Sequence, residues 1–370
     1  MKITIVTPLF PPEIGGPATY VVPLALGLKK KGHEVKIITL CKEHPKQKYG
    51  LEVYSIIRQG EIMNSMRIVK ALSQYARDSD LIYGLDIAAI GSNCVVFGNM
   101  FKIPVAIRYA GDTAWEKARR ENTSEKELEP FLKDPDANPH IIKIQKEVLK
   151  YCSLVITPSK YLKRIIHECY GIEDKKIVAI NNAIHAPNND AIGSDKCIAY
   201  GRYVPWKRFD RIIEAFSRMP KREILIIGDG PLEKELRAQA KPYKNIRIAG
   251  KLSNAMLMNI LTCSKAFILN SSYEGMSHSI LEAFSEKVPV IASDIEPNKE
   301  LIEDKVNGLL IPSEPREENI KALIEVVEKL DNQKLMKTLR TNGYNKVATE
   351  HSWENNVKQT EIEFKKVIKC

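Results

Sequence analysis

Short runs of β-branched and other apolar residues recur along the first half of this chain, and most are separated by segments with apolar residues every three or four positions. The runs occupy residues 3–6, 35–39, 53–57, 81–83, 105–107, 154–157 and 177–180. Such runs are typical of buried strands, and the wider spacing is typical of amphipathic helices. Because strands that alternate with helices form parallel sheets with crossover helices, we predict an open α/β sheet.

A polar stretch rich in asparagine, proline and glycine, residues 183–195, interrupts the alternation, which restarts beyond it. The second series of runs occupies residues 197–200, 224–227, 246–248, 266–269, 288–292 and 309–311. We therefore predict two Rossmann-like α/β domains, residues 1–187 and 188–351, with parallel sheets that face each other across a cleft. The last helical pattern, residues 352–370, is either a solvated tail or a helix that packs back across the domain junction.

Composition and charge narrow the classes of function. The chain has 370 residues, 44% of them hydrophobic and 28% charged, as in globular proteins, and it has no apolar window long enough for a spanning helix. Of the net charge of +10, residues 1–187 contribute +7, from 27 Lys and Arg against 20 Asp and Glu. A basic half suits nucleic acid, phospholipid headgroups or a pyrophosphate. Nucleic acid is not expected, because no basic patch is interleaved with aromatic residues.

Cysteine usage and the N-terminal residues bear on the compartment. The seven cysteines contain no Cys-x-x-Cys pair, and the first apolar run is too short for a signal sequence. We expect a cytoplasmic protein, either free or peripheral at the inner membrane face. Lys29, Lys30 and Lys31 close the first predicted helix, and they either cap its C-terminus or help to dock a lipid-linked acceptor.

Two adjacent glycines, Gly15 and Gly16, follow the first predicted strand and precede a helix. Open α/β sheets bind ligands at this position, where glycine admits a close ligand and the helix N-terminus favours an anion. A plain strand-to-helix turn would use the same residues. The Gly-x-Gly-x-x-Gly pattern of dinucleotide sites is missing.

In the second half, two basic residues and a further glycine follow predicted strands. Arg202 and Lys207 come after the first strand, where both side chains are candidates to bind a phosphate, with Lys207 inward and Arg208 outward. Gly228 follows the next strand, where a tight turn explains it as well as a nearby ligand.

Two glutamates with seven residues between them form the sharpest motif. Glu274 lies in a predicted loop, and Glu282 lies one turn into the helix that follows, between apolar neighbours. An unpaired carboxylate there would be costly to bury. Hydroxyl groups of a bound sugar would satisfy it.

In this order and at strand ends, Gly15-Gly16, Gly201-Arg202 with Lys207, Gly228-Asp229-Gly230-Pro231 and Glu274-x7-Glu282 resemble the family 4 retaining glycosyltransferases of GT-B fold. The resemblance spans nearly the whole chain and is most specific in its second half. It implies an enzyme of glycan biosynthesis that transfers a sugar from a UDP- or GDP-linked donor, a substrate rather than a cofactor, to a glycan, lipid-linked or small-molecule acceptor.

The resemblance also implies roles for individual residues. Arg202 and Lys207 would hold the donor diphosphate, Glu274 the donor sugar, and Glu282 the ribose. The remaining contacts would come from the backbone at Gly275, Met276 and Ser277 on the sugar, near Lys251 and Leu252 on the base, and at Gly15 and Gly16 on the diphosphate and acceptor.

Asp112 stands near the point where many family members carry a histidine. It follows the strand at residues 105–107, so we expect it either to orient a donor hydroxyl or to stabilise charge at the anomeric carbon, the alternative being an Asx-type turn beside Gly111. We also expect catalysis without a metal ion, because Arg202 and Lys207 can meet the charge of the leaving group.

Two other hypotheses about function are consistent with the same residues. One is a nucleotide-sugar epimerase or inverting transferase of the same fold, which product stereochemistry distinguishes. Another is a two-domain binding protein without catalysis, which an assay with labelled sugar nucleotides distinguishes.

Overall fold

Two parallel β-sheets with helices around them form the chain. The structure is a computed structural model that describes residues 1–13, 15–187 and 194–369. It divides into a first unit, Met1–Ala118 and Leu128–Asn182 together with the chain from Trp353 onward, and a second unit, Arg119–Glu127 with Ala183–Ser352. The predicted boundary at residue 188 lies outside the described residues. The assignment of Arg119–Glu127 to the second unit is not visible in the sequence pattern.

The first unit contains a seven-stranded parallel sheet, as the alternation predicts. Its strands are β1 (Lys2–Thr7), β2 (Glu34–Cys41), β3 (Glu52–Ile57), β4 (Leu81–Gly84), β5 (Val105–Arg108), β6 (Leu154–Thr157) and β7 (Ile177–Ala179). They lie in the order β3-β2-β1-β4-β5-β6-β7, so the direction of winding reverses between β1 and β4. The register pairs Ile3 with Val35 on one side and with Leu81 on the other.

Seven helices connect these strands. They are α1 (Gly16–Lys30), α2 (Glu61–Tyr75), α3 (Ala89–Phe101), α4 (Thr113–Arg120), α5 (Leu128–Lys133), α6 (Pro139–Tyr151) and α7 (Lys160–Tyr170). Each buries one apolar stripe, such as Val21, Leu24, Ala25 and Leu28 of α1. This is the spacing that turns one side of a helix towards a sheet.

The second unit repeats the design with six parallel strands. They are β8 (Cys197–Arg202), β9 (Ile224–Asp229), β10 (Ile246–Ala249), β11 (Phe267–Leu269), β12 (Val290–Ser293) and β13 (Leu309–Ile311). The order β10-β9-β8-β11-β12-β13 reverses winding between β8 and β11. Its helices are α8 (Phe209–Ser217), α9 (Glu233–Ala240), α10 (Asn254–Thr262), α11 (His278–Ser285), α12 (Glu296–Lys299), α13 (Arg316–Lys329) and α14 (Gln333–Glu350).

The C-terminal helix, α15 (Trp353–Ile368), packs on α1 in the first unit. A Cβ at Gly27 would lie 2.4 Å from a methyl group of Val357, so glycine is what lets the two helices approach this closely. The Phe364 ring is fully buried, with its centre 5.1 Å from that of Tyr83 in β4. Of the two alternatives for this segment, the structure contains the packed helix.

Membrane-spanning helices are not found within residues 1–13, 15–187 and 194–369, where no helix is long and apolar enough to cross a bilayer.

Truncating Phe364 tests how far α15 stabilises the first unit. Phe364→Ala leaves a cavity against Tyr83, and we expect the free energy of unfolding of this unit to fall by about 3–5 kcal/mol. Ile362→Ala on the same helix is the control, because Ile362 is 43% exposed. Urea unfolding followed by circular dichroism measures both. Equal effects of the two variants would mean that α15 contributes no packed core.

Candidate active site

The carboxyl ends of β8, β9 and β11 meet at one edge of the second sheet, at the point where its winding reverses. Open α/β sheets bind ligands at such a point. Gly201 and Arg202 at the end of β8 pair with Gly228 and Asp229 at the end of β9. A Cβ at Gly228 would lie 1.9 Å from the carbonyl oxygen of Gly201, so only glycine lets the two strand ends lie this close together.

Arg202 is the free cation of this edge. Its side chain is exposed and makes no hydrogen bond or ion pair with any residue that the structure describes. A guanidinium group offers five N–H donors in a planar fork that matches a phosphate or carboxylate. Arg202 is therefore available to an anionic ligand without first breaking a contact.

Lys207 forms an ion pair with Glu274, with 2.6 Å between Nζ and Oε1. Both side chains are largely buried, at 17% and 11% exposure. Lys207 ends a short 3-10 helix after β8, and Glu274 lies in the loop after β11. The amide of Ser272 donates to the carbonyl oxygen of Trp206, which ties the two loops together. Two residues that the sequence assigns to different ligand groups thus lie in direct contact.

Arg208 is not the outward residue that the sequence analysis expects. Its side chain is only 9% exposed, and it donates hydrogen bonds to the carbonyl oxygen of Ser313 and to the carboxylate of Glu314. Its backbone is left-handed, with φ at 49°. This conformation turns Arg208 towards the loop after β13, so Arg208 holds the fold together beside the site.

Glu282 lies in α11 with its carboxylate against β8. The Tyr200 hydroxyl donates to Oε2 of Glu282 over 2.6 Å, while Oε1 has no partner among the described residues. Burial raises the pKa of Glu282 from 4.5 to about 7, and the Tyr200 hydrogen bond lowers it only in part. The Glu282 carboxylate is buried, as the sequence predicts, and its oxygen Oε1 can accept a hydrogen bond from a ligand.

The loop between Glu274 and α11 presents backbone donors at the same edge. Ser277 begins the helix, its side chain accepting from the amide of Ile280, and Met276 packs into the core. The amides of Gly275 and Ser277 donate to no acceptor in the described part of the chain. The amides of Gly275 and Ser277 can therefore bind oxygen atoms, the backbone role of Gly275, Met276 and Ser277 stays a prediction, and the Met276 side chain packs into the core.

The residues predicted for the base, Lys251 and Leu252, follow β10. Lys251 Nζ lies 3.7 Å from a carboxylate oxygen of Asp229, and both side chains are 53% exposed, so this is a weak surface pair. Leu252 packs partly against the second unit's core. Both residues lie two strands away from β8, beyond β9.

In the first unit, Gly15 and Gly16 lie where α1 begins, after β1. A Cβ at Gly15 would lie 2.7 Å from a methyl group of Leu9, whereas a Cβ at Gly16 would have no atom within 4 Å. The fold therefore does not require glycine at Gly16. The open space beside a helix N-terminus leaves room for a ligand there.

Asp112 follows β5 and lies directly before α4. Its carboxylate is fully buried and accepts from the hydroxyls of Tyr109 and Tyr170, the side-chain amide of Gln145 and the backbone amide of Trp115. It caps α4, since a residue just before a helix can satisfy the free amides of the first turn. With four donors and no exposed surface, the Asp112 carboxylate serves the packing of the first unit, while its predicted role towards the donor stays a prediction.

Asp-x-Asp pairs, whose carboxylates can hold a divalent cation, occur at residues 78–80 and 134–136. Asp78 pairs with Lys2 and Lys36, and Asp80 accepts from the backbone amide of Lys2, so the first pair lies at the amino edge of the first sheet. Within the described ranges, no three acidic, histidine or cysteine side chains are grouped as metal ligands would be. Arg202 and Lys207 are thus the groups from which catalysis without a metal ion is expected.

Tyr200 is the site residue that the sequence analysis misses. Its pattern is that of an ordinary strand residue in β8, and its burial at 7% exposure is what such a pattern predicts. A buried glutamate needs a donor, which is a signal that such a residue exists. It does not identify which strand supplies it.

Two family models match the chain, and together they span residues 14–346. The model described as Glycosyltransferase Family 4 matches residues 14–186. The model described as Glycosyl transferases group 1 matches residues 182–346.

Curated relatives are glycosyltransferases. An uncharacterized glycosyltransferase of Methanocaldococcus jannaschii is 28% identical over 61% of this chain and 61% of its own length. The UDP-Gal:alpha-D-GlcNAc-diphosphoundecaprenol alpha-1,3-galactosyltransferase of Escherichia coli is 31% identical over 35% of this chain and 33% of its own length. The alpha-monoglucosyldiacylglycerol synthase of Acholeplasma laidlawii is 24% identical over 93% of this chain and 92% of its own. The chain thus spans from a third to about three fifths of the length of the first two.

Solved structures share the fold over the whole chain. Anabaena HepE in complex with UDP and glucose has a TM-score of 0.77 at 16% identity, covering 99% of this chain and 100% of its own. Sucrose-phosphate synthase of Thermosynechococcus elongatus has a TM-score of 0.78 at 16% identity, covering 100% and 99%. At such identities the matches show the fold.

The raised pKa of Glu282 predicts how stability depends on pH. A carboxyl group with a pKa of about 7 in the folded state and 4.5 otherwise stabilises the fold when protonated, so this contribution is lost as pH rises towards 7. Glu282→Gln cannot ionise. We expect its advantage in unfolding free energy over the wild type to grow by about 2–3 kcal/mol between roughly pH 5 and pH 8. Urea titrations at both values measure this, and a constant difference would mean that Glu282 titrates normally.

Proposed function

This chain belongs to the family 4 glycosyltransferases of GT-B fold, and from that membership we propose that it transfers a sugar from a UDP-linked donor to an acceptor with retention of configuration. The observation that carries the proposal is the clustering of Arg202, Lys207, Glu274 and Glu282 at the reversal point of the second sheet. The two cations suit the diphosphate of a sugar nucleotide, and the two carboxylates suit hydroxyl groups of its sugar and its ribose.

The cations suit the leaving group. As the bond between the sugar and the diphosphate breaks, negative charge grows on the phosphate oxygens. Arg202 is free to bind them, and Lys207 needs only to exchange its ion pair with Glu274 for a phosphate. Fixed donors of this kind stabilise developing charge more than mobile water does.

The same exchange would prepare Glu274 for the sugar. Released from Lys207, its carboxylate can accept hydroxyl groups of the donor sugar, beside the free amides of Gly275 and Ser277. Donor binding would then convert an internal ion pair into contacts with both halves of the donor, which suits selection of the intact sugar nucleotide over free UDP.

Glu282 would hold the ribose. Its free oxygen Oε1 can accept a ribose hydroxyl while Tyr200 keeps hold of Oε2. The burial that costs stability here keeps water away from the carboxylate and so strengthens its hydrogen bonds to a ligand. Lys251 and Leu252, beyond β9, would lie towards the base.

The relatives support UDP as the nucleotide of the donor and a lipid-linked molecule as the acceptor. HepE is described in complex with UDP and glucose, and the galactosyltransferase uses UDP-Gal, which supports UDP over GDP. The galactosyltransferase acts on a sugar attached to diphosphoundecaprenol, and the Acholeplasma synthase makes a glucosyldiacylglycerol. We propose a lipid-linked acceptor, ahead of a free glycan, held by the first unit beside Gly15 and Gly16, and an enzyme of the cytoplasm or its membrane face.

The chemistry needs no covalent nucleophile from the chain. In a front-face displacement the anomeric carbon loses its bond to the diphosphate oxygen and gains one to the acceptor oxygen on the same face. The leaving phosphate oxygen takes the acceptor's proton. Positioning and charge stabilisation then supply the catalysis.

Product stereochemistry tests this function against its alternatives. Incubation with UDP-sugars and lipid-linked acceptors, followed by NMR of the product, should show a new glycosidic bond with the donor's anomeric configuration. An inverted product would indicate an inverting transferase, and release of an epimerised sugar nucleotide would indicate an epimerase. Nucleotide binding without turnover of any donor would indicate a binding protein.

We expect full activity in excess EDTA, because Arg202 and Lys207 take the place of a metal ion. Lys207→Ala should lower turnover by a factor on the order of 10²–10³ with the fold intact. Lys241→Ala, an exposed lysine elsewhere in the second unit, is the control. Activity that EDTA abolishes and Mg²⁺ or Mn²⁺ restores would contradict the assignment, as would wild-type turnover of Lys207→Ala.

Substitutions of the two glutamates should affect different properties: Glu282 the binding of UDP, and Glu274 the turnover of the UDP-sugar. At about pH 8, where the Glu282 carboxylate is ionised, Glu282→Gln should weaken UDP binding roughly 10- to 100-fold, because one charged hydrogen bond to the ribose is lost. Glu274→Gln should not weaken UDP binding, because it frees Lys207 from its ion pair, and it should lower turnover of the UDP-sugar. Calorimetry with UDP and steady-state kinetics measure the two. Equal UDP affinities of wild type and Glu282→Gln would rule out the ribose contact.

A further inference from the structure

Two neighbouring helices of the first unit expose apolar side chains to solvent. On α2, Ile62, Met66 and Val69 follow one another at helical spacing and are 81%, 63% and 41% exposed. On α3, Val96 and Met100 are 61% and 71% exposed. We call these five residues the α2–α3 face. Helices that cover a sheet normally expose polar residues here.

The two stripes lie side by side. α2 packs on α3, and Asn93 of α3 donates to the Ser65 hydroxyl of α2 between the stripes. At the far end, the Arg77 guanidinium lies 4.9 Å above the centre of the Phe101 ring. Contiguous apolar surface of this kind marks an interaction site more often than scattered apolar residues do.

A basic groove borders the α2–α3 face. It lies between edge strand β3 and α2, with a volume of about 520 Å³. His44, Lys48, Arg67 and Lys70 line it, and no acidic residue does. We call it the β3–α2 groove. Lys48 and Lys70 donate to no side chain or carbonyl in the described ranges, and Arg67 donates only to the carbonyl oxygen of Ile57.

Helical spacing makes the groove and the face adjacent. Arg67, Lys70 and Gln74 turn one side of α2 to the groove, and Ile62, Met66 and Val69 occupy the next side of the same helix. Glu61 is the single acidic residue in the sequences of α2 and α3. An apolar strip beside unpaired cations has the composition of surfaces that lie in the interface of an anionic bilayer.

We propose that the α2–α3 face docks on an anionic membrane. The exposed methionine, isoleucine and valine side chains enter the boundary between headgroups and acyl chains, and Lys48, Arg67 and Lys70 bind lipid phosphates at the rim. A second copy of this chain fits the surface less well. A twofold contact would bring the same unpaired cations together.

This surface replaces the lysine run as the basic contact. Lys29 donates to the carbonyl oxygen of Gly50, and Lys31 pairs with Glu361 at 3.0 Å, so two of its three cations already have partners within the first unit. The run serves as a helix cap and an anchor for α15, whereas the cations of the β3–α2 groove are free for lipid.

Vesicle sedimentation tests the proposal with the intact protein. We expect binding to vesicles of equal parts phosphatidylcholine and phosphatidylglycerol, little binding to phosphatidylcholine alone, and weaker binding as salt rises. Lys48→Gln/Lys70→Gln should lower the partition coefficient roughly 10- to 30-fold. The matched control is Lys241→Gln/Lys244→Gln, which removes two exposed lysines of the second unit. Equal partition coefficients of the groove variant and wild type would overturn the role of the groove.

A second pair of variants tests the apolar part. Met66→Ser/Met100→Ser should also weaken vesicle binding, whereas Met256→Ser/Val306→Ser, at exposed apolar positions of the second unit, should not. Light scattering on the same samples reports association between copies. Absence of binding to anionic vesicles, with a dimer that Met66→Ser/Met100→Ser dissolves, would overturn the proposal in favour of a protein interface.

The proposal stands apart from the sugar-transfer reaction, because vesicle binding is measured without donor or acceptor. The groove variants should keep the wild-type affinity for UDP, since neither residue belongs to the second unit. Loss of vesicle binding with UDP binding unchanged supports the docking surface. Loss of UDP affinity in the same variants would contradict it.

Discussion

Parallel strands in one sheet all end at the same edge, and the rest of the site follows from that constraint. In the second unit the winding reverses between β8 and β11, so the loops after these two strands diverge and leave space between them. Arg202 and Lys207 come from one loop and Glu274 from the other, although about seventy positions separate them along the chain. The close approach of Gly201 and Gly228 holds β8 and β9 in register, so the position of Arg202 is fixed by backbone contact.

The site also buries ionisable side chains. Glu282 is held where burial raises its pKa to about 7, and Lys207 and Glu274 form an ion pair with each other. Groups held in this way have little water to lose when a ligand arrives, which explains how a site can be costly to the fold and still favour binding.

In the first unit, polar residues and the C-terminal helix stabilise the fold instead of forming a cluster of candidate ligand-binding groups. The Asp112 carboxylate caps α4, and α15 completes the packing around α1 and Tyr83. Its solvent side, by contrast, leaves apolar residues of α2 and α3 uncovered beside unpaired cations. These exposed side chains contribute nothing to the interior of the unit, so the surface calls for a partner outside the fold.

Local pattern in the sequence determined the strands, the crossover helices and the division into two parallel sheets, because apolar spacing is set by each element's own geometry. It also placed Arg202, Lys207 and Glu274 at or just after strand ends, and Glu282 in the helix that follows. Tertiary structure alone decided which neighbour each side chain meets. Asp112 directly precedes a helix and Glu282 lies within one, yet the carboxylate of Asp112 is saturated by four donors and that of Glu282 keeps a free oxygen. Arg208 turned inward and Tyr200 became the partner of Glu282 because residues more than eighty positions away pack against them, and no local spacing carries that information.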